Sequence, residues 1–125
     1  MVKTGFFIIL IGFFANSAFA KTMTCVLPER QVHFYIQFDQ AVSDAKRFEI
    51  GNSPSYKNLK TDKPGKKIIV SGDFDDMGKI KIDLTELKHS RNYRYFRGTA
   101  VIDNLFGSPV NTHGDSEPVD CSIYR

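Results

Sequence analysis

A chain of 125 residues with 17 Lys and Arg against 14 Asp and Glu has a formal net charge of only +3, so its pI of 8.9 reflects a small excess of cations. That balance argues against a protein built to coat nucleic acid, since non-specific phosphate binding rests on many clustered cations. Two cysteines and three histidines, His33, His89 and His113, stand in no ligand spacing with one another, which argues against a zinc site and leaves no metal or cofactor implied.

Residues 1–20 carry one charge, Lys3, then the apolar run Phe6 to Phe14, then the small-x-small sequence Ala18-Phe19-Ala20. The pattern predicts a cleaved signal peptide, because the run is short of the roughly 20 residues that a spanning helix needs. A lipoprotein has cysteine directly after its cleavage site, whereas Cys25 lies beyond Thr22-Met23-Thr24. The expectation is an exported protein, periplasmic or extracellular, with no transmembrane segment after cleavage. Residues 21–125 then form a single all-β domain of about 105 residues and a net charge of about +2, large enough to bury its own core. In an exported chain an even cysteine count favours pairing. A disulfide between Cys25 and Cys121 closes nearly the whole domain, a loop of about 100 residues to which the chain-entropy argument assigns roughly 4 to 5 kcal/mol.

From Thr22 onward apolar residues recur at every second position, the period of a half-buried strand. Met23, Cys25 and Leu27 form the first inward set; after Pro28, Val32, Phe34, Ile36 and Phe38 form the second, with His33, Tyr35 and Gln37 outward. Asp39 to Ala45 reads either as a helical turn capped by Asp39, the preferred reading, or as a long connection. Arg47 to Gly51 follows as a strand with Phe48 and Ile50 inward, ended by Asn52-Ser53-Pro54-Ser55, and Tyr56 to Leu59 is at best a short edge strand. Asp62-Lys63-Pro64-Gly65 predicts a turn with proline in the first central position and glycine in the second. Lys67 to Phe74 and Lys79 to Leu84 make the clearest hairpin, reversed by Asp75-Asp76-Met77-Gly78. Its inward residues are Ile68, Val70, Gly72 and Phe74 on one arm and Ile80, Ile82 and Leu84 on the other.

Thr85 to Ser90 reads as one helical turn, and Tyr93 to Asp103 as the longest strand, with Phe96, Gly98, Ala100 and Ile102 inward. Gly98 and Ala100 thin that face, which calls for a large side chain such as Phe34 or Phe74 over them, or for a bend in the strand. Asn104 to Glu117 is a long loop or hairpin tip, and the last strand, Val119 to Tyr124, has Val119, Cys121 and Ile123 inward. Both cysteines thus fall on inward faces, so the terminal strands are expected to be neighbours or to face each other across the core. Seven to eight short strands without a long helical pattern predict an all-β fold. It is a small antiparallel β-barrel or β-sandwich with its terminal strands linked by one disulfide; a partly open five-stranded barrel with extra hairpins also fits.

Candidate chemistry is sparse. Asp73-Phe74-Asp75-Asp76-Met77-Gly78 alternates carboxylates before a glycine in the manner of a calcium loop. Met77, however, stands where an oxygen ligand is needed, and solvated hairpin turns select the same residues. His113 and Asp115, on a polar loop, are the one candidate base and orienting carboxylate, without an identifiable nucleophile or oxyanion hole. The outward faces are richer: Tyr93, Tyr95 and Arg97 alternate along one strand, His33 and Tyr35 along another, Lys79 and Lys81 along a third. Brought together they form an aromatic and basic surface able to stack on bases or sugars and to grip phosphate or carboxylate. Taken separately they are what solvent-facing strands commonly carry.

A small exported β-domain with a cysteine near each end and a late tyrosine-rich strand resembles, in architecture, the small bacterial periplasmic proteins that include the C-type lysozyme inhibitors. Tyr95-Phe96-Arg97-Gly98-Thr99-Ala100 is similar to that family's tyrosine and glycine strand; the family's serine-glycine loop has no counterpart in this sequence, and no functional residue is carried over. A slightly basic chain is also a poor electrostatic match for a basic lysozyme. The residues lead to the expectation of a non-catalytic binding or inhibitor module for an unknown protein or envelope component, using Tyr35, Tyr93, Tyr95, Arg97 and His113. A small hydrolase using His113 and Asp115 is the second reading, and a nucleic-acid-binding barrel the third.

Overall fold

The structure, a computed structural model, describes residues 20–87 and 90–124. The predicted leader, apart from Ala20, lies outside the described residues, as do Lys88 and His89. Eight strands follow one another: β1 (Lys21–Leu27), β2 (Val32–Phe38), β3 (Ala45–Ile50), β4 (Lys60–Asp62), β5 (Lys67–Asp73), β6 (Lys79–Glu86), β7 (Tyr93–Asp103) and β8 (Glu117–Tyr124). They make one antiparallel sheet in the order β3-β2-β1-β8-β7-β6-β5-β4. Every pairing except β1 with β8 joins consecutive strands, so the sheet is an up-and-down meander curled into a nearly closed barrel. The period-two pattern produces this directly, since alternate side chains must share a face. Met23, Leu27, Phe34, Phe48, Phe96 and Ile123 are among those fully removed from water, each contributing about 1.5 to 3 kcal/mol.

The first and last strands of a meander are its natural edges. Here they are sealed: Met23 to Val26 pair with Ile123 to Asp120, and Cys25 and Cys121 stand directly opposite, disulfide-bonded with their Cα atoms 4.0 Å apart. The terminal strands are therefore neighbours within the sheet. The break falls between β3 and β4 instead. There Phe48 and Tyr56 exchange two backbone hydrogen bonds of 2.9 and 3.0 Å as an isolated bridge, and the Ala45 N–H donates to the Thr61 hydroxyl at 2.8 Å. Tyr56 is buried and stacks on Phe74 at 4.2 Å between ring centres; burial pushes its phenol pKa up.

Several local expectations are corrected by competing hydrogen bonds. No helical turn forms at Asp39 to Ala45: Val42 has φ of +56°, and the Asp39 carboxylate accepts the N–H groups of Ser43 at 2.7 Å and Asp44 at 3.0 Å. The side chain offers the backbone an alternative to the helical ladder and closes a tight β2–β3 connection. Thr85 and Glu86 extend β6, paired with Arg97 and Phe96, where a helical turn was expected. Tyr56 to Leu59 supplies only the Tyr56 bridge, and the edge strand is β4 just beyond it. In the β4–β5 turn the Lys67 N–H donates to the Pro64 carbonyl at 3.1 Å, so Gly65, at φ +63°, occupies the first central position, one residue later than predicted. At Gly98 the strands themselves come close, because a side chain there would collide with the Asp83 carbonyl of β6; Phe74 covers Gly72 rather than Gly98.

Connections of a meander alternate between its two ends. One end gathers the β2–β3, β4–β5 and β6–β7 connections with Lys21 and Tyr124; the other gathers the remaining four. At the first end Arg94 makes a bidentate pair with Glu86 at 2.9 and 2.8 Å and lies 5.4 Å over the Phe96 ring. The second end is plugged by the β7–β8 loop, which buries Leu105 and Val110 and ties Thr112 to Ile102 in both directions, at 2.8 and 3.0 Å.

Candidate functional site

Strand register arranges outward side chains in rows. Tyr35 pairs with Thr24, Thr24 with Ser122, and Ser122 with Tyr95. The next row runs His33, Val26, Asp120, Arg97. These residues cover the outward face of β2, β1, β8 and β7, so the sealed seam passes through the middle of it. Thr24 and Ser122 are the two small residues of the first row. They floor a depression of about 280 Å³ bordered by His33, Tyr95 and Asp120. A second depression, of about 370 Å³, lies between Leu87, Tyr95, Arg97 and Asp120.

Tyr93 and Tyr95, two residues apart on β7, stack with ring centres 6.0 Å apart, and Tyr124, paired with Tyr93 across β8, meets it edge-on at 5.3 Å. The three rings remain 39%, 43% and 64% exposed despite this contact, which is the arrangement of an ordered surface cluster rather than of a core. Arg97 donates to Asp120 at 2.8 Å. Both partners are exposed, so the pair adds little stability, but it leaves the face nearly neutral and the guanidinium already engaged.

Of the residues singled out by sequence, Tyr35, Tyr93, Tyr95 and Arg97 share this face, together with His33. Sequence reasoning passes over Tyr124 and Leu87. The parity of β8, whose odd positions point inward, is the signal that places Tyr124 outward beside Tyr93. Leu87 carries no periodic signal.

His113 stands elsewhere. The adjacent Gly114 N–H donates to the Asp103 carboxylate at 2.7 Å, which puts this loop at the far end of β7, roughly 30 Å along the strand from Tyr93. The His113 N–H donates to Asn111 Oδ1 at 2.9 Å and the Asp115 N–H to the Thr112 carbonyl at 3.0 Å. No hydrogen bond joins the His113 imidazole to the Asp115 carboxylate among the described residues. Lys79 and Lys81 pair with Asp103 and Val101, so they too lie toward the far end, away from the tyrosines.

The alternation of connections also sorts the charges. Lys21, Lys63, Lys66 and Arg91 stand at the tyrosine end against Asp39 and Asp62, and there Lys46 is paired with Asp44, Lys67 with Asp83 and Arg94 with Glu86. Glu29, Asp73, Asp75, Asp76, Asp103, Asp115 and Glu117 stand at the other, against Arg30, Lys57, Lys60 and Lys79. A nearly balanced chain is thus folded into a molecule with a basic end and an acidic end. The 3₁₀ turn Asp75–Met77 helps to wall an acidic depression of about 270 Å³ with Asp73, Lys79 and Asp103. No group of three or more His, Cys, Asp or Glu among the described residues is placed to hold a metal ion.

No family model matches the chain, and neither a curated protein nor a solved structure is significantly similar to it. Among the described residues no helix is long and apolar enough to cross a membrane.

Proposed function

We propose that the protein is an exported, non-catalytic binding module whose working surface is the outward face of β2, β1, β8 and β7. The observation that carries this reading is the cluster of Tyr93, Tyr95 and Tyr124, in which the Tyr93 ring meets both of the others while all three stay open to solvent. Tyrosine provides large contact area at low conformational cost, and ordered aromatic residues beside depressions are the usual energetic centres of interfaces. The disulfide supports an oxidising compartment and also fixes the strands under the face, so little ordering remains to be done on binding. His113 takes no part in this surface.

The test is capture of envelope components by the immobilised protein and by a variant carrying Tyr93→Ala, Tyr95→Ala and Tyr124→Ala. The variant is expected to lose what the wild type retains while unfolding within roughly 1 kcal/mol of it, as substitutions at exposed positions do. Equal capture by both proteins removes this face as the working surface.

A further inference from the structure

The end of the barrel that carries Tyr93 and Tyr124 continues as a mixed rim. Lys66 lies in the β4–β5 turn, its carbonyl accepting the Glu86 N–H at 3.0 Å. Leu87 comes next, its N–H bonded to the Tyr95 carbonyl at 2.8 Å. Arg91 sits in the tight turn closed by Ser90 and Tyr93, whose mutual hydrogen bonds are 3.0 and 3.1 Å. Tyr93, Tyr124 and Lys21 complete the half-ring. Cationic and apolar groups therefore succeed one another around one end, on turns already fixed by their own hydrogen bonds. Leu87 is 43% exposed and Tyr124 64%. Lys21, Lys66 and Arg91 have no ion-pair partner among the described residues.

We propose that this rim docks end-on against an anionic phospholipid bilayer. The proposal rests on the reading of the tyrosine cluster as the working surface and names its partner. The cations are set around a rim, whereas a nucleic-acid strand needs a basic groove to follow. Tyrosine rings and lysine stems suit the headgroup level of a bilayer, where an apolar body is buried and a polar tip stays wet. Leu87 presents an aliphatic group to the acyl boundary, a use no polar polymer has for it. The opposite end adds an orienting force: Asp73, Asp75, Asp76 and Asp103 are repelled by an anionic surface, so the charge asymmetry turns the tyrosine end toward it before contact.

The experiment is cosedimentation of the protein beginning at Lys21, which holds all eight strands and the whole core, with two kinds of vesicle. One contains phosphatidylglycerol in phosphatidylcholine, the other phosphatidylcholine alone. Binding to the anionic vesicles is expected to weaken with salt and to exceed binding to the neutral ones by about tenfold or more. Lys66→Ala and Arg91→Ala are each expected to lower affinity about fivefold. Leu87→Ser with Tyr124→Ser lowers it by about tenfold or more. Asp75→Asn with Asp76→Asn, at the far end, leaves it within about twofold. Equal binding to both vesicles, or rim variants that bind like wild type, overturns the proposal. Retention on polyuridylate that Leu87→Ser leaves unchanged overturns it in favour of nucleic acid. If the wild type fails to sediment with either vesicle while its capture of envelope components still depends on the three tyrosines, the bilayer proposal falls and the tyrosine face stands.

Discussion

Where β1 meets β8, four consecutive residue pairs stand in register and a disulfide joins two inward positions; where β3 meets β4, an isolated bridge, the Ser55 hydroxyl donating to Glu49 and the Ala45 N–H donating to the Thr61 hydroxyl span the gap. The first seam is further tied by Arg30 of the β1–β2 turn, which forks onto Glu117 at the start of β8 at 2.8 and 2.5 Å. The second depends on Tyr56, a single residue stacked on Phe74 and set between two loops. Rigidity is thus concentrated where the candidate site lies, since Thr24 and Ser122 of the sealed seam floor the depression bordered by His33, Tyr95 and Asp120. A surface that needs no ordering keeps more of its contact energy on binding, and the looser seam lies on strands that do not contribute to it.

The largest test of this contrast is removal of the disulfide. Cys25→Ser with Cys121→Ser releases a loop of 96 residues in the unfolded chain, and the expected loss is about 4 to 5 kcal/mol by urea denaturation. A loss under about 1 kcal/mol would place the strength of that seam in its backbone pairing instead. Tyr56→Ala should come next, at about 3 kcal/mol, because it empties a buried aromatic site against Phe74. Tyr56→Phe should cost far less, since the hydroxyl makes only a 3.4 Å contact to the Phe106 carbonyl; equal losses for the two would show that this hydroxyl, rather than the ring, holds the seam.

Much of this architecture is legible in the sequence where side chains alternate cleanly. Met23, Cys25 and Leu27, then Phe34, Ile36 and Phe38, declare both a strand and its inward face, and from them follow the inward cysteines, whereas the choice between neighbouring terminal strands and strands facing across the core needs the register of β1 on β8. The loose seam is not legible in the same way. Lys60-Thr61-Asp62 has no apolar residue to show a period, and Tyr56 joins β3 through its backbone, which sequence does not display. Asp39 misleads because the same carboxylate that caps helices also closes turns. The candidate face is half legible: parity gives Tyr35, Tyr93, Tyr95 and Arg97 their outward direction, but only register shows that the first lies across Thr24 and Ser122 from the third. The two charged ends were hidden by the near-zero net charge. They become visible once alternate connections of a meander are assigned to the same end.

Thr61→Val offers a finer probe of the loose seam. It leaves the buried Ala45 N–H without its acceptor and should cost about 1 kcal/mol, measurable as a lower urea midpoint at unchanged slope; no loss would mean that water or backbone replaces the hydroxyl. The smallest effect belongs to pH. The hydrogen bond from Arg30 holds the Glu117 carboxyl below its ordinary pKa, so its stabilising contribution is present above the unfolded value, about 4.3, and is lost as pH falls through the depressed folded value. Glu117→Gln should therefore be less stable than wild type near neutral pH and converge with it on acidification. A difference that persists to low pH would assign the effect to packing.

Native-state amide hydrogen exchange tests the contrast between the seams most directly. Amides of β1 and β8 should exchange only through global unfolding, whereas those of β3 and β4 facing the gap should exchange through local opening with a lower free energy. Equal protection on both sides, or faster exchange in β1 and β8 with the disulfide intact, would contradict the view that the barrel is locked under its tyrosine face.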